Sequence, residues 1–280
     1  MFKSFNKQLF IILFFAYIII YCYSTSIIYN IKMTRKILTV VFDMDETLGH
    51  FNQLYIFFNL VQTFFNRQLN TYELYNIFDL FPEFLRPNII PLLKRIVKKH
   101  ETNVCDYVML YTNNSGPKYW SQTIIDYFNY KLKYDLFTQI ISSFKINNRP
   151  IDLHNSGNKK SYKHYLNCTR LPKTTQVCFI DDQYYKDMEH DNVVYINIKP
   201  YVYNLTFKVM ASRYYDSNVK ELFKQCTRDK FIKYILLYTK NYNLNYLNKS
   251  LVECNIDVLI TQRMIKEIDN FFIENYHKSN

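Results

Sequence analysis

Asp43 and Asp45 stand two residues apart at the end of an apolar, β-branched run, Ile37 to Phe42. Residues two apart in an extended chain project from one crest, so both carboxylates can reach one cation or one phosphate. Thr47 adds a hydroxyl at the same rim. A second run, Asp106 to Tyr111, ends in Thr112-Asn113-Asn114-Ser115-Gly116, and a third, Gln176 to Ile180, ends in Asp181-Asp182. Between them, Ser156-Gly157-Asn158-Lys159-Lys160 is a polar loop carrying lysines, ahead of a helix-patterned stretch from Ser161 to Cys168. The order is acid pair, hydroxyl, lysine, acid pair, each just past a strand or opening a helix. Plainer readings stand beside each group. The Asp43 turn could be a strand-to-helix connection with Asp as a cap, Thr112 could cap a helix that starts near Pro117, and Lys160 is one lysine among many.

These groups need elements to bring them together. Phe51 to Leu80 is helical in period and rich in Phe and Leu; Asn88 to His100 and Pro117 to Leu132 read as further helices, and Phe137 to Ser142 and Val193 to Ile198 as further parallel strands. The alternation implies an α/β fold with a doubly wound, mostly parallel sheet, whose ligands bind at the carboxyl ends of the strands. Residues 33–215 are read as this domain, with 51–80 as a small helical cap or crossover after the first strand. From Asn218 the pattern changes to long helices without a motif, Lys220 to Lys240 and Ile256 to His277, so residues 216–280 are expected to form a helical C-terminal extension.

Asp43-Met44-Asp45-Glu46-Thr47 matches Asp-x-Asp-x-Thr, Thr112 closes a strand, Lys160 precedes a helix start, and Asp181-Asp182 with Asp187 gives Asp-Asp-x4-Asp. In these four ordered motifs, over roughly residues 35 to 200, the chain resembles the haloacid dehalogenase superfamily of phosphotransferases. Lys159 and Lys163 are the other occupants available for the lysine position. Asp-Glu-Thr-Leu before His50, the turn Leu85-Arg86-Pro87 and Ile180-Asp181-Asp182 are similar to the carboxy-terminal-domain phosphatases of that superfamily. Gly49 replaces their usual apolar residue before the histidine, and Gln183 stands where they often carry Ser-Pro.

The resemblance implies a Mg²⁺-dependent phosphatase. Asp43 would be the nucleophile that forms an aspartyl-phosphate, and Asp45 the general acid and then base. Thr112, Asn113 and Lys160 would contact the phosphoryl oxygens. Asp43, Asp45 through its backbone carbonyl, Asp181 and Asp182 would hold Mg²⁺, which prefers oxygen ligands and keeps waters. Asp187 is expected to orient a neighbour or cap a turn rather than bind metal, and His50 to contact substrate or to pack. A cap of about thirty residues leaves the site open, which in this superfamily suits large substrates such as proteins phosphorylated on Ser or Thr. A small phosphorylated metabolite, a nucleic-acid end and a non-catalytic binding module are the alternatives.

The three glycines, Gly49, Gly116 and Gly157, each lie near a motif residue, where backbone must come close to a neighbour. A net charge of +11 favours anionic ligands, but no dense basic-aromatic pattern points to nucleic acid. Six cysteines without paired or metal-type spacing fit a reducing, cytoplasmic compartment. Residues 9–29 form an apolar stretch of membrane-spanning length, flanked by Lys3 and Lys7 on one side and Lys32, Arg35 and Lys36 on the other. Membrane anchor, cleaved signal peptide and a segment upstream of a true start at Met33 are the three readings it leaves open.

Overall fold

The computed structural model describes residues 35–114, 117–142, 145–146, 149–150, 160–217, 223, 226–242, 246 and 249–277, together with Tyr17 and Tyr21. One sheet contains β1 (Leu38–Phe42), β2 (Tyr107–Thr112), β3 (Phe137–Ser142), β4 (Lys145–Ile146), β5 (Arg149–Pro150), β6 (Gln176–Asp181) and β7 (Val193–Asn197), in the spatial order 5-4-3-2-1-6-7. The five longer strands are parallel, and the two-residue β4 and β5 add antiparallel at one edge. Among the described residues eight helices accompany them: α1 (Asn52–Phe65), α2 (Thr71–Leu80), α3 (Ile89–Glu101), α4 (Lys118–Leu132), α5 (Tyr162–Thr169), α6 (Phe207–Tyr215), α7 (Arg228–Thr239) and α8 (Leu251–His277). This is a Rossmann-like, doubly wound α/β fold.

The strands are apolar throughout because both faces of the sheet are covered. Val40, Phe42, Val108, Leu110, Cys178 and Ile180 face one core, which takes in α1–α4 and α6–α8. Val41, Met109, Tyr111, Val177 and Phe179 face the other, closed by α5 and by Met188 of the 3-10 turn Lys186–Met188. Parallel crossovers are right-handed. Winding outward from β1 through β2 to β3 therefore places the connections on one face, and returning from β3 to β6 places α5 on the opposite face. The winding reverses between β1 and β6, and that reversal opens a crevice at the carboxyl ends of those two strands.

Residues 51–80 turn their apolar side chains into the sheet's larger core. Phe51, Leu54, Phe57, Phe58, Val61, Ile77 and Phe78 are buried in the larger core. The segment is two helices, not one. Asn70 breaks it and starts α2 with a capping box, its side chain accepting from the Glu73 amide while the Glu73 carboxylate accepts from Asn70 N–H. The expected Lys220–Lys240 helix begins later, at Arg228, because Thr227 caps it there. Helix α8 begins earlier than the expected Ile256, and α6 was not anticipated. Met264, Ile268, Phe271 and Phe272 of α8 belong to the larger core, so the C-terminal helices share the domain's interior. Among the described residues no helix is long and apolar enough to cross a membrane. Residues 9–29 lie outside them, Tyr17 and Tyr21 excepted.

Candidate functional site at the strand switch point

Register alone brings the two acid groups together. Phe42 of β1 pairs with Ile180 of β6, and the Asp43 amide extends the ladder by donating to the Ile180 carbonyl at 2.9 Å. Asp43 and Asp181 therefore leave adjacent strands side by side. Lys160 joins them. Its ammonium donates to Asp43 Oδ1 at 2.5 Å and to Asp181 Oδ2 at 2.6 Å. Ser161 fixes the lysine's position by capping α5, its hydroxyl accepting from the His164 amide.

Lys160 is 1 % exposed and lies 5.5 to 5.7 Å from the ring centres of Tyr111, Phe179 and Tyr185. Burial alone would push the ammonium's pKa down, but the Asp43 and Asp181 charges outweigh it and hold it above the usual lysine range. Of the other two candidates, Lys163 is exposed on α5 and Lys159 lies outside the described residues.

The remaining acids crowd the same rim. Thr47 Oγ1 donates to Asp182 Oδ1 at 3.3 Å and accepts from the Asp182 amide at 3.2 Å. The Gln183 amide donates to Asp181 Oδ1 at 2.8 Å. One carboxylate oxygen from each of Asp43, Asp181 and Asp182 lies within 4.8 Å of the others. The Asp45 carboxylate is not one of this group and accepts from Asn114 Nδ2 at 2.5 Å. Of the four expected metal ligands, the side chains of three converge. Asp187 is exposed in the 3-10 turn and stands outside the cluster.

One lysine does not neutralise so many acids. Burial, with Asp43 and Asp182 adding to it against the Asn114 hydrogen bond, pushes Asp45 up to about 6. Burial and the neighbouring Asp45, Asp182 and Asp43 push Glu46 up to about 8. Asp181 and Asp182 are raised too, by burial first and by the Asp43 charge. Three convergent carboxylates short of positive charge are a donor set that fits a hard divalent cation such as Mg²⁺.

Thr112 is buried at the end of β2, and its hydroxyl accepts from the Asn114 amide at 3.1 Å. It does not cap α4, whose N-cap is Pro117. The Asn113 carboxamide donates to the Tyr185 hydroxyl at 3.1 Å. His50 sits against an irregular strap, residues 198–206: its Nδ1 lies 3.0 Å from both the amide nitrogen and the carbonyl oxygen of Tyr203, and its Nε2 3.6 Å from Glu46. Burial lowers its pKa, the Tyr203 hydrogen bond opposing and Lys249 reinforcing. The strap is stapled further by buried Gln53, which donates to the Leu205 carbonyl and accepts from the Leu205 amide.

Gly49 allows the loop after β1 to pass under the chain at Phe84. A Cβ there would lie 2.4 Å from the Phe84 carbonyl oxygen and 2.6 Å from Phe51 Cζ. Gly116 and Gly157 lie outside the described residues. Sequence reading did not single out Asn114, which holds Asp45, and its only signal was the polar run closing β2. No protein-family model, curated protein or solved structure gives a significant match to this chain.

Proposed function

We propose that this chain is a Mg²⁺-dependent phosphatase of the haloacid dehalogenase type, hydrolysing a phosphomonoester through an aspartyl-phosphate on Asp43. The observation that carries the reading is buried Lys160 bridging Asp43 and Asp181 at the switch point, with Asp182 in the same group and Asp45 near enough to feel the Asp43 and Asp182 charges. An Asp43 oxygen attacks phosphorus as the bond to the leaving oxygen breaks. Asp45, whose raised pKa keeps a protonated fraction near neutral pH, gives its proton to that oxygen. The same carboxylate then takes a proton from the water that attacks the phosphorus of the aspartyl-phosphate, freeing Asp43.

Lys160 supplies fixed charge to the attacking carboxylate and the phosphoryl oxygens, in a dry setting where preorganised charge counts most. Thr112 closes the strand beside it and is assigned a phosphoryl-oxygen contact. Asp43, Asp181 and Asp182 would hold Mg²⁺, which when bound offsets the repulsion between an anionic nucleophile and a phosphate dianion. Asp45 is assigned as acid and base, not as a side-chain ligand, because its carboxylate is engaged by Asn114.

For substrate class, residues 51–80 commit their apolar side chains to the core. That favours a substrate presented from a larger body, and a protein phosphorylated on Ser or Thr is the class proposed. Release of para-nitrophenol from para-nitrophenyl phosphate with Mg²⁺ tests the chemistry. Asp43→Asn should lower turnover by about 10³-fold or more, and chelation of the metal should abolish it. Phosphopeptides against sugar and nucleotide monophosphates test the substrate. Preferred turnover of a monophosphate metabolite would overturn the protein-substrate assignment, and no phosphate release from any of them would leave a binding module.

A further inference from the structure

Arg86 is 1 % exposed, and no carboxylate among the described residues pairs with its charge. Its guanidinium donates to three backbone carbonyls: from Nε to Thr47 at 2.6 Å, and from Nη2 to Glu46 at 2.5 Å and Lys199 at 3.0 Å. Its Cζ lies 5.5 Å from the Tyr201 ring centre, and Nη1 is buried with no hydrogen-bond partner. A buried cation is costly to desolvate, so carbonyl contacts alone make a poor reason to place one here. The reason lies in the backbone it grips.

Glu46 has φ 59°, a left-handed conformation that costs a side-chain-bearing residue about 1–3 kcal/mol and persists only where surrounding structure enforces it. Two donors meet its carbonyl, Arg86 Nη2 and the Tyr201 amide at 2.8 Å. The kink separates the tasks of its neighbours. Before it, Asp45 turns to Asn114; after it, Thr47 turns to Asp182. The Arg86 amide itself donates to Leu48 at 3.0 Å, closing the turn.

We propose that Arg86 is a positioning residue: by clamping the Glu46 and Thr47 carbonyls it holds the left-handed turn that aims Asp45 at the leaving-group oxygen. This rests on the phosphatase reading above. Arg86 neither touches the acid cluster nor serves as a phosphate ligand; it acts through Asp45.

A misplaced general acid matters where the leaving group needs a proton and little where it does not. Comparing kcat/KM on a phosphoserine peptide with kcat/KM on para-nitrophenyl phosphate isolates that step, since the ratio excludes later hydrolysis of the aspartyl-phosphate. A positioned acid contributes about 10²–10⁴-fold, so Arg86→Gln should lose roughly 10- to 100-fold on the peptide and less than about threefold on the aryl ester. Arg86→Lys keeps the charge without the three-way clamp and should show the same bias. Equal losses on both substrates, or full recovery in Arg86→Lys, overturn the proposal. A second readout needs no turnover. Glu46→Gly removes the conformational penalty, so the drop in melting temperature caused by Arg86→Lys should shrink in that background. An undiminished drop, or an Arg86→Lys chain that does not fold, makes Arg86 a packing residue and overturns the proposal. A wild-type chain inactive on both substrates overturns the phosphatase reading and this one with it.

Discussion

Lys160 is the residue on which the rim balances. It is buried between Asp43 and Asp181, and removing one partner of a buried ionic group costs about 3–5 kcal/mol, because the charges left behind are unpaired. Lys160→Met should therefore lower the melting temperature sharply in the presence of a chelator. Added Mg²⁺ should then raise it more in the variant than in the wild type, because the cation replaces the missing charge. A melting temperature equally insensitive to Mg²⁺ in both proteins would remove the acid cluster as a metal site. A steric test belongs to Gly49: Gly49→Ala pushes a methyl into the Phe84 carbonyl and the Phe51 ring, an overpacking that should cost about 1–3 kcal/mol by chemical denaturation. Asp43, Asp45, Thr112, Lys160 and the Asp181-Asp182 pair were legible in the sequence because each ends an apolar strand or opens a helix, where polar groups stand out. Asn114 and Arg86 stood in view, one in the polar run after β2 and the other in the Leu85-Arg86-Pro87 turn, but their roles did not. A carboxamide in a polar run and an arginine in a turn look like surface groups, and what gives them work is a partner 69 residues away for one and 39 and 40 for the other.

Elements were legible to the degree that their own residues decide them. The five longer strands were placed almost to the residue, since β-rich apolar runs bounded by polar residues leave little choice, whereas the two-residue β4 and β5 carry no such run and were not expected. Helix α5 announced itself through Ser161, and α2 could have been separated from α1 by Asn70, a capping signal that the continuous Phe and Leu pattern concealed. Helix α6 hides behind Thr206, its cap, because the strap before it has no periodicity and is held by hydrogen bonds to Glu46, His50 and Gln53 in another part of the chain. At the start of α2, Arg67 binds both oxygens of Glu73, at 2.8 and 2.5 Å, while Glu73 also completes the capping box. The Arg67 hydrogen bonds, with the Asn70 amide, hold the Glu73 pKa below its ordinary 4.5. A depressed carboxylate contributes stability that is fully present above the unfolded value and is lost as pH falls through the folded one. Glu73→Gln should thus cost on the order of 1 kcal/mol at pH 7, Arg67 being partly exposed to solvent, and the gap to wild type should close progressively below pH 4.5. A gap that stays constant down to pH 3 would mean that the cap geometry, not the charge, does the stabilising.

At the scale of the molecule, the sheet's two faces are unequal: among the described residues seven helices share the core on one side, and one short helix with a 3-10 turn closes the other. The uneven distribution is what the sequence concealed about residues 216–280, whose period shows that they are helical but not which surface they cover. Met264, Ile268, Phe271 and Phe272 lie against α3 and the sheet with at most 3 % exposure. Lys249, just ahead of α8, pairs with Asp257 on that helix and places its ammonium 4.2 Å from the Tyr201 ring centre, reaching the strap from outside. Burying four such side chains contributes about 1.5–3 kcal/mol each, a sum of the same order as the whole stability of a domain, about 5–15 kcal/mol. A chain ending at residue 248 should therefore not survive as a trimmed but native domain. Near-ultraviolet circular dichroism should lose its fixed aromatic signal, and a dye that binds exposed apolar surface should light up, the behaviour of a loosened core. Were the truncated chain to melt cooperatively within a few degrees of the intact one, α8 would be an appendage and its grip on the Tyr201 strap dispensable. The expected outcome follows from area: helices that fill the same core as β1 and β6 are as much a part of the machinery beneath the acid cluster as the strands that carry it.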